Sequence, residues 1–217
     1  MSDSLTTLIG KVQNTLGDAS AAYFTTAICT AAIRQALTEF NRIAPQFAAV
    51  TIAGVNDQYE YELSDEDIDA VKVIDVLLQG TDAALDLNTP ITYDDYIEDE
   101  RVFFRLRSPV TSADVLIVRY TLHHTINGLD SAVDSTILAA DDQIIVDGGC
   151  YHAIMIRAAS RVETINLSKE QSDNYREIAG HFRTAFNLGL ANAARKRPPV
   201  SEPDTRAWND RYHTWDQ

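Results

Sequence analysis

Several residue types are scarce or misplaced in this chain, and each shortage excludes something. Only two cysteines occur in 217 residues, Cys29 and Cys150, far apart and each in an apolar, helix-like neighbourhood. That rules out a disulfide framework and a cysteine-based metal site, and predicts two buried thiols. No run approaches the roughly 18 apolar residues of a membrane span. The start MSDSLTTLIGK has no basic leader and no cleavage site, so an unprocessed cytoplasmic product without a membrane segment is expected. There is no GxxxxGK[ST], GxGxxG, GxSxG, HExxH or CxxC. Positive charge is short as well: 18 Lys and Arg against 32 Asp and Glu leave −14, which disfavours gripping duplex DNA through its phosphates. Tryptophan is missing from all but the last ten residues, which hold both copies, Trp208 and Trp215.

The residues that could carry chemistry do not converge in the sequence. His123 and His124 are adjacent on an expected strand and point to opposite faces, while His152 and His181 lie singly on expected helices. A transition-metal site needs three or four convergent donors, so these read as surface or internally satisfied histidines. Asp65-Glu66-Asp67-Ile68-Asp69 alternates carboxylates like a calcium loop, but its sixth position is Ala70 and its twelfth Val76, where glycine and a bidentate acid are required. Asp94 to Glu100 is acid-rich, yet it is one local segment with no lysine, whereas metal-dependent hydrolysis needs acids brought together from rigid elements. No enzyme activity, metal or cofactor is expected.

Periodicity organises the chain into blocks. A short helix is predicted from about Ser4 to Leu16, ending at Gly17. A longer one follows an Asp18-Ala19-Ser20 start signal, with Phe24, Ile28, Ile33, Leu37, Phe40 and Ala44 on one face and Pro45 as a stop. From Ala48 to His124 the period becomes two, predicting four or five antiparallel strands. They include 59–63, 71–78, and a hairpin of 102–107 with 115–122 across the turn 108–112. Helical spacing returns after Asp141 through Ile145, Gly148/Gly149, His152, Met155, Ala159, Val162 and Ile165, a stripe whose small residues would let a neighbouring helix approach closely. Ser168 and Gln171 resemble a capping box, after which Tyr175, Ile178, Phe182, Phe186 and Leu190 form the next apolar face. The expected fold is α+β: an α-helical bundle of N-terminal (1–47) and C-terminal (127–194) helices, an inserted antiparallel β domain (48–126), and an extended C-terminal tail (195–217).

Charge marks the tail off. Residues 1–194 hold 13 basic and 28 acidic side chains, or −15, whereas 195–217 hold five basic and four acidic ones, or +1. The tail has three of the six prolines and both tryptophans, a composition that breaks helices and cannot build a core alone. Tryptophan is costly to leave hydrated and, with arginine, is enriched at binding hot spots. Arg195, Lys196, Arg197, Arg206, Trp208, Arg211 and Trp215 are therefore read as a partner-docking segment.

The stretches "AICTAAIRQALTEFNRIAPQ", "YEYELSD", "VFFRLRSPVTSADVLIVRYTLHH", "INGLDSAVDSTI" and "GGCYHAIMIRAA" together resemble the head-to-tail adaptor (connector) proteins of tailed bacteriophages, over about residues 4–194. The resemblance implies a non-enzymatic virion protein of the neck, made in the host cytoplasm. It further implies a homo-oligomeric ring, typically of twelve, below the portal protein, which joins capsid to tail and lets DNA through its lumen without specific binding. The portal and other neck or tail proteins would be its partners, with the tail reaching onto the portal. Arg101, Arg105, Arg107, Arg157 and Arg161 are candidates to meet a neighbouring subunit's carboxylates or to pair within the chain. The alternatives are another neck or tail ring, such as a stopper or tail terminator, and a metal-dependent hydrolase using Asp94 to Glu100.

Overall fold

The computed structural model describes residues 3–63, 70–79, 89–98, 101–162 and 169–196, with only the backbone at 161–162 and 169–172. Its contacts divide into two compact units, one of residues 1–46 and 124–197, the other built on 47–123.

The first unit is helical. α1 (Leu5–Thr15) starts at Ser4, whose hydroxyl accepts from Thr7 N–H, and ends before Gly17, which turns the chain at φ 72°. α2 (Thr26–Ile43) is capped by Thr25, not by the Asp18 signal. Asp18 is buried in the preceding loop, where its carboxylate accepts from the N–H groups of Ala22, Tyr23 and Phe24 at 3.1, 2.7 and 2.6 Å. It thus satisfies three backbone donors of a loop that bends through Ala21 at φ 55°, instead of opening a helix. Cys29, Ile33, Leu37 and Phe40 form the buried line of α2, at close to helical spacing.

α3 (Asp142–Val162) lies among the other three helices. Val12 of α1 faces Gly149, Ala36 of α2 and Phe186 of α4 (Lys169–Lys196) face Gly148, and Ile144 faces Gly189. α3 and α4 therefore run antiparallel. The apolar stripes read from the sequence drift at their ends. Met155 is 46 % and Ile178 49 % exposed, and Ala159 is exposed, because beyond Ile154 the packed face of α3 turns towards the 16–24 loop. Ser168, Ile165 and Asp65 to Asp69 lie outside the described residues.

The second unit holds seven strands among the described residues, not four or five: β1 (Gln46–Ala53), β2 (Glu60–Glu62), β3 (Ala70–Leu78), β4 (Thr89–Pro90), β5 (Tyr93–Glu98), β6 (Arg101–Leu106) and β7 (Val115–Leu122). They form two sheets, of order β1-β7-β3-β4 and β2-β6-β5. The expected hairpin is absent, since β6 and β7 belong to different sheets. β6 is occupied on both edges by β2 and β5, and β7 by β1 and β3, so 107–114 connects the sheets. Asp114 tightens that connection by accepting from Thr111 N–H at 2.7 Å and its hydroxyl at 2.8 Å. The acid-rich 94–98 stretch belongs to strand β5. A bulge between Val73 and Asp75 turns Val73 and Val76, three residues apart, to the same core as Tyr61, Phe104, Leu106 and Val118.

Candidate interaction surfaces

The pleat of β6 sends Val102, Phe104 and Leu106 inward and Arg101, Phe103 and Arg105 outward. Register then surrounds the outward arginines with acids: Glu60 and Asp94 stand opposite Arg105, and Glu98 opposite Arg101. Arg101 also donates to Glu62 Oε1 at 3.0 Å, Arg107 donates to Asp94 Oδ1 at 3.1 Å, and Tyr96 stacks on Phe103 with centroids 5.3 Å apart. Arg101 and Arg107 thus pair with carboxylates of their own chain, while Arg105 stands in register between Glu60 and Asp94. Exposed pairs of this kind contribute about 0 to 1 kcal/mol each, so the face is a mosaic of both signs held loosely at its surface.

Arg157 has another setting. Its guanidinium donates to the Tyr23 carbonyl and lies 4.8 Å from the Tyr23 ring centroid and 5.4 Å from that of Phe24. It borders a cavity of about 390 Å³ lined also by Leu16, Asp18, Ile154 and Tyr175. Hydrogen bonds from Phe24, Tyr23 and Ala22 hold the Asp18 carboxyl below its usual range. Backbone donors stabilise Asp18 and a carbonyl engages Arg157, so both brace the α1–α2 loop. The side chain of Arg161 lies outside the described residues.

Arg195 and Lys196 sit in the last turn of α4, where cations complement the negative end of the helix dipole. Lys196 Nζ is 3.8 Å from Oδ1 of the buried Asp141, just before α3, so the chain leaves α4 beside the start of α3. Arg197, Arg206, Trp208, Arg211 and Trp215 lie outside the described residues.

Local sequence signals did not reveal the ordered loop 123–141. Leu5 N–H donates to Asn127 O at 2.9 Å and Ser135 Oγ to Asp3 O at 2.9 Å, tying the loop to the start of α1. Arg34 of α2 grips Asp130 through Nε at 3.1 and 3.0 Å and Nη2 at 2.5 Å. Gly128, Asp130 and Ser131 all have positive φ, at 86°, 50° and 68°, a costly run that those contacts stabilise. Arg34 and Asp130 are 96 positions apart, too far for any local signal to pair them.

The reactive residue types are engaged or sealed. Cys29 and Cys150 are buried and unpaired, and burial pushes their thiols up to about 11 and about 12. His152 Nε2 sits 3.2 Å from Glu39 Oε1, and burial lowers its basicity against that carboxylate's pull. Among the described residues no group of three or more His, Cys, Asp or Glu side chains could hold a metal ion, and no helix is long and apolar enough to cross a membrane.

No curated protein matches the chain. Among solved structures it is similar to a chain of the "neck of empty GTA particle computed with C6 symmetry", at 9 % identity and a TM-score of 0.30, covering 74 % of this chain and 91 % of that one. The family model described as SU10 adaptor protein matches residues 3–209, which takes in both units and bears out the adaptor resemblance read from the sequence. With nearly its whole length matched, the chain belongs to the SU10 adaptor protein family.

Proposed function

We propose that this chain is a structural, non-enzymatic virion protein of the phage neck, made in the host cytoplasm. In this reading it forms a ring of about twelve copies beneath the portal, joins capsid to tail and lets DNA pass without specific binding. The observation that carries the proposal is the adaptor-family match from residue 3 to residue 209, which extends past the last described helix into the tryptophan-bearing tail. Charge supports it. Twelve bodies of −15 would supply about −180 in all, and an acidic wall keeps duplex DNA from sticking. The same repulsion opposes spontaneous closure, so the isolated chain is expected to be mainly monomeric and to assemble on a template.

The tail is the proposed portal anchor. From Lys196, 21 residues at roughly 3 Å each reach about 60 Å, and Pro198, Pro199 and Pro203 favour extension. Trp208 and Trp215 would be the anchors, with Arg206 and Arg211 pairing with acids or stacking on aromatics. The test is sedimentation of purified protein with portal-bearing heads. Removing residues 195–217, or making Trp208→Ala with Trp215→Ala, should abolish co-sedimentation while the helical circular dichroism is kept. Wild-type attachment of the double variant would overturn the proposal.

A further inference from the structure

Two surfaces of the helical unit are unusual for a chain carrying −14, and they complement one another. One is the loop between β7 and α3. It runs from 123 to 141 without helix or strand, and ordered loops longer than about 15 residues are uncommon and generally functional. Although pinned by hydrogen bonds and by Arg34, it holds Val133 79 % and Leu138 64 % exposed. Its only charged residues from 125 to 140 are Asp130 and Asp134, both acidic.

The other surface is the outer face of α4. Leu188 is 63 % exposed, and Ala185 and Ala191, three residues to either side of it, are exposed too. From Thr184 to Ala194 no residue is charged, and over the whole stretch from Ile178 to Lys196 the charged residues are Arg183, Arg195 and Lys196, all basic. An apolar surface with cations at its ends, of which Lys196 already lies near Asp141, therefore stands on one part of an acidic molecule, and an apolar surface beside Asp134 on another, Asp130 being paired with Arg34.

The two do not coincide. The Val133 part of the loop rests on the start of α1 and on α2, through the Leu5–Asn127, Asp3–Ser135 and Arg34–Asp130 contacts. α4 rests on α3, through Phe186 at Gly148 and Ile144 at Gly189. Surfaces that fit each other but occupy different places on the protomer make a heterologous contact, which repeats into a ring where its rotation closes and into an open filament where it does not, unlike a self-complementary patch, which stops at a dimer.

We propose that the 123–141 loop of one copy seats on the outer face of α4 of the next, with Val133 against Leu188 and the neighbouring alanines, and Asp134 facing the α4 cations. The occupant is a second copy of this chain because the acidic loop and the basic rim of α4 carry opposite signs, and because neutral centres with opposite-signed rims let two acidic bodies touch without facing like charges. The inference rests on the ring reading and specifies its subunit contact.

The test places Val133→Cys and Leu188→Cys in one chain, the native thiols being buried, and adds a short bismaleimide cross-linker. It is run on protein assembled on portal-bearing heads, and on concentrated protein at about 1 M salt, where charge repulsion is screened to about 3 Å. The double variant should give a ladder of covalent multimers, each single variant monomers, and an equal mixture of the single variants nothing above dimer. Rings seen by native mass with no ladder would overturn this contact and leave the ring reading standing. A ladder that stops at dimer would overturn the heterologous geometry. A chain monomeric under every condition would remove both.

Discussion

Replacing Gly148 by alanine should destabilise the helical unit, although the same change elsewhere in a helix normally stabilises it. A Cβ built at Gly148 falls 2.7 and 2.9 Å from Phe186 ring carbons and 2.8 Å from the Ala36 Cβ. Phe186 and Ala36 are both fully buried, so neither can retreat into open space. Against this, alanine in place of glycine contributes about 1 kcal/mol of helix propensity. Overpacking a tight core costs about 1 to 3 kcal/mol, and three contacts under 3.0 Å with immobile partners belong at the upper end, so the net loss should be about 1 to 2 kcal/mol. Gly180 is the control, because nothing lies within 4 Å of its Cβ, and Gly180→Ala should gain about 1 kcal/mol. Gly149, with Val12 at 3.0 Å and Ile33 at 3.3 Å, should fall between them and near zero. All four described helices belong to one unit, so urea unfolding followed at 222 nm reads the series. The expected order of midpoints is Gly180→Ala, Gly149→Ala, Gly148→Ala, with about 2 to 3 kcal/mol between the extremes. A Gly148→Ala protein as stable as Gly180→Ala would show that α2, α3 and α4 do not meet at this point.

Other outcomes follow from the same geometry. Asp18 titrates below the ordinary carboxylate value when folded, so the stability it gives is complete above the unfolded value of about 3.9 and is lost as pH falls through its lower folded value. Wild type should accordingly exceed Asp18→Asn in urea midpoint at pH 7, with the gap narrowing below about pH 4, and a pH-independent gap would contradict the role assigned to its backbone contacts. With thiols pushed up to about 11 and about 12, Cys29 and Cys150 should stay unlabelled by an aromatic disulfide reagent at pH 8 until the protein unfolds, and one rapidly reacting thiol in the native state would refute their burial. Arg101→Ala and Arg107→Ala should each shift stability by less than about 1 kcal/mol in the isolated chain, since their carboxylate partners are exposed. A loss of several kcal/mol in denaturant titration would mean that the charged face of β6 does more than cover the sheet.

What could be read from the sequence, and what could not, divides by how far apart the interacting residues are. Ser4 and Gly17 act within one turn of the helix they bound, and the limits of α1 were legible. The buried line of α2 and the promise of close approach at Gly148 and Gly149 needed only the 3.6-residue period. Met155 and Ile178 fit that period and are exposed all the same, because which part of a stripe is covered depends on where a second element ends. Strand positions were similarly legible at 60–62, 70–78, 101–106 and 115–122, but their partners were not. Adjacency suggested that β6 pairs with β7, whereas β6 lies between β2, some 40 positions upstream, and β5. β5 itself escaped notice because Asp94, Asp95 and Glu98 interrupt any apolar alternation, and what recommends Asp94 and Glu98 as strand residues is Arg105 and Arg101 opposite them on β6. Asp18 shows the same limit at shorter range: as a capping residue it suits the start of a helix, yet three N–H groups of its own loop are nearer. Surfaces whose partner is another molecule leave only a residue-level excess. Here that excess is two tryptophans in the last ten residues, an uncharged run on the exposed face of α4, and a valine held out on a loop with three left-handed residues, which the contacts proposed above would remove from water.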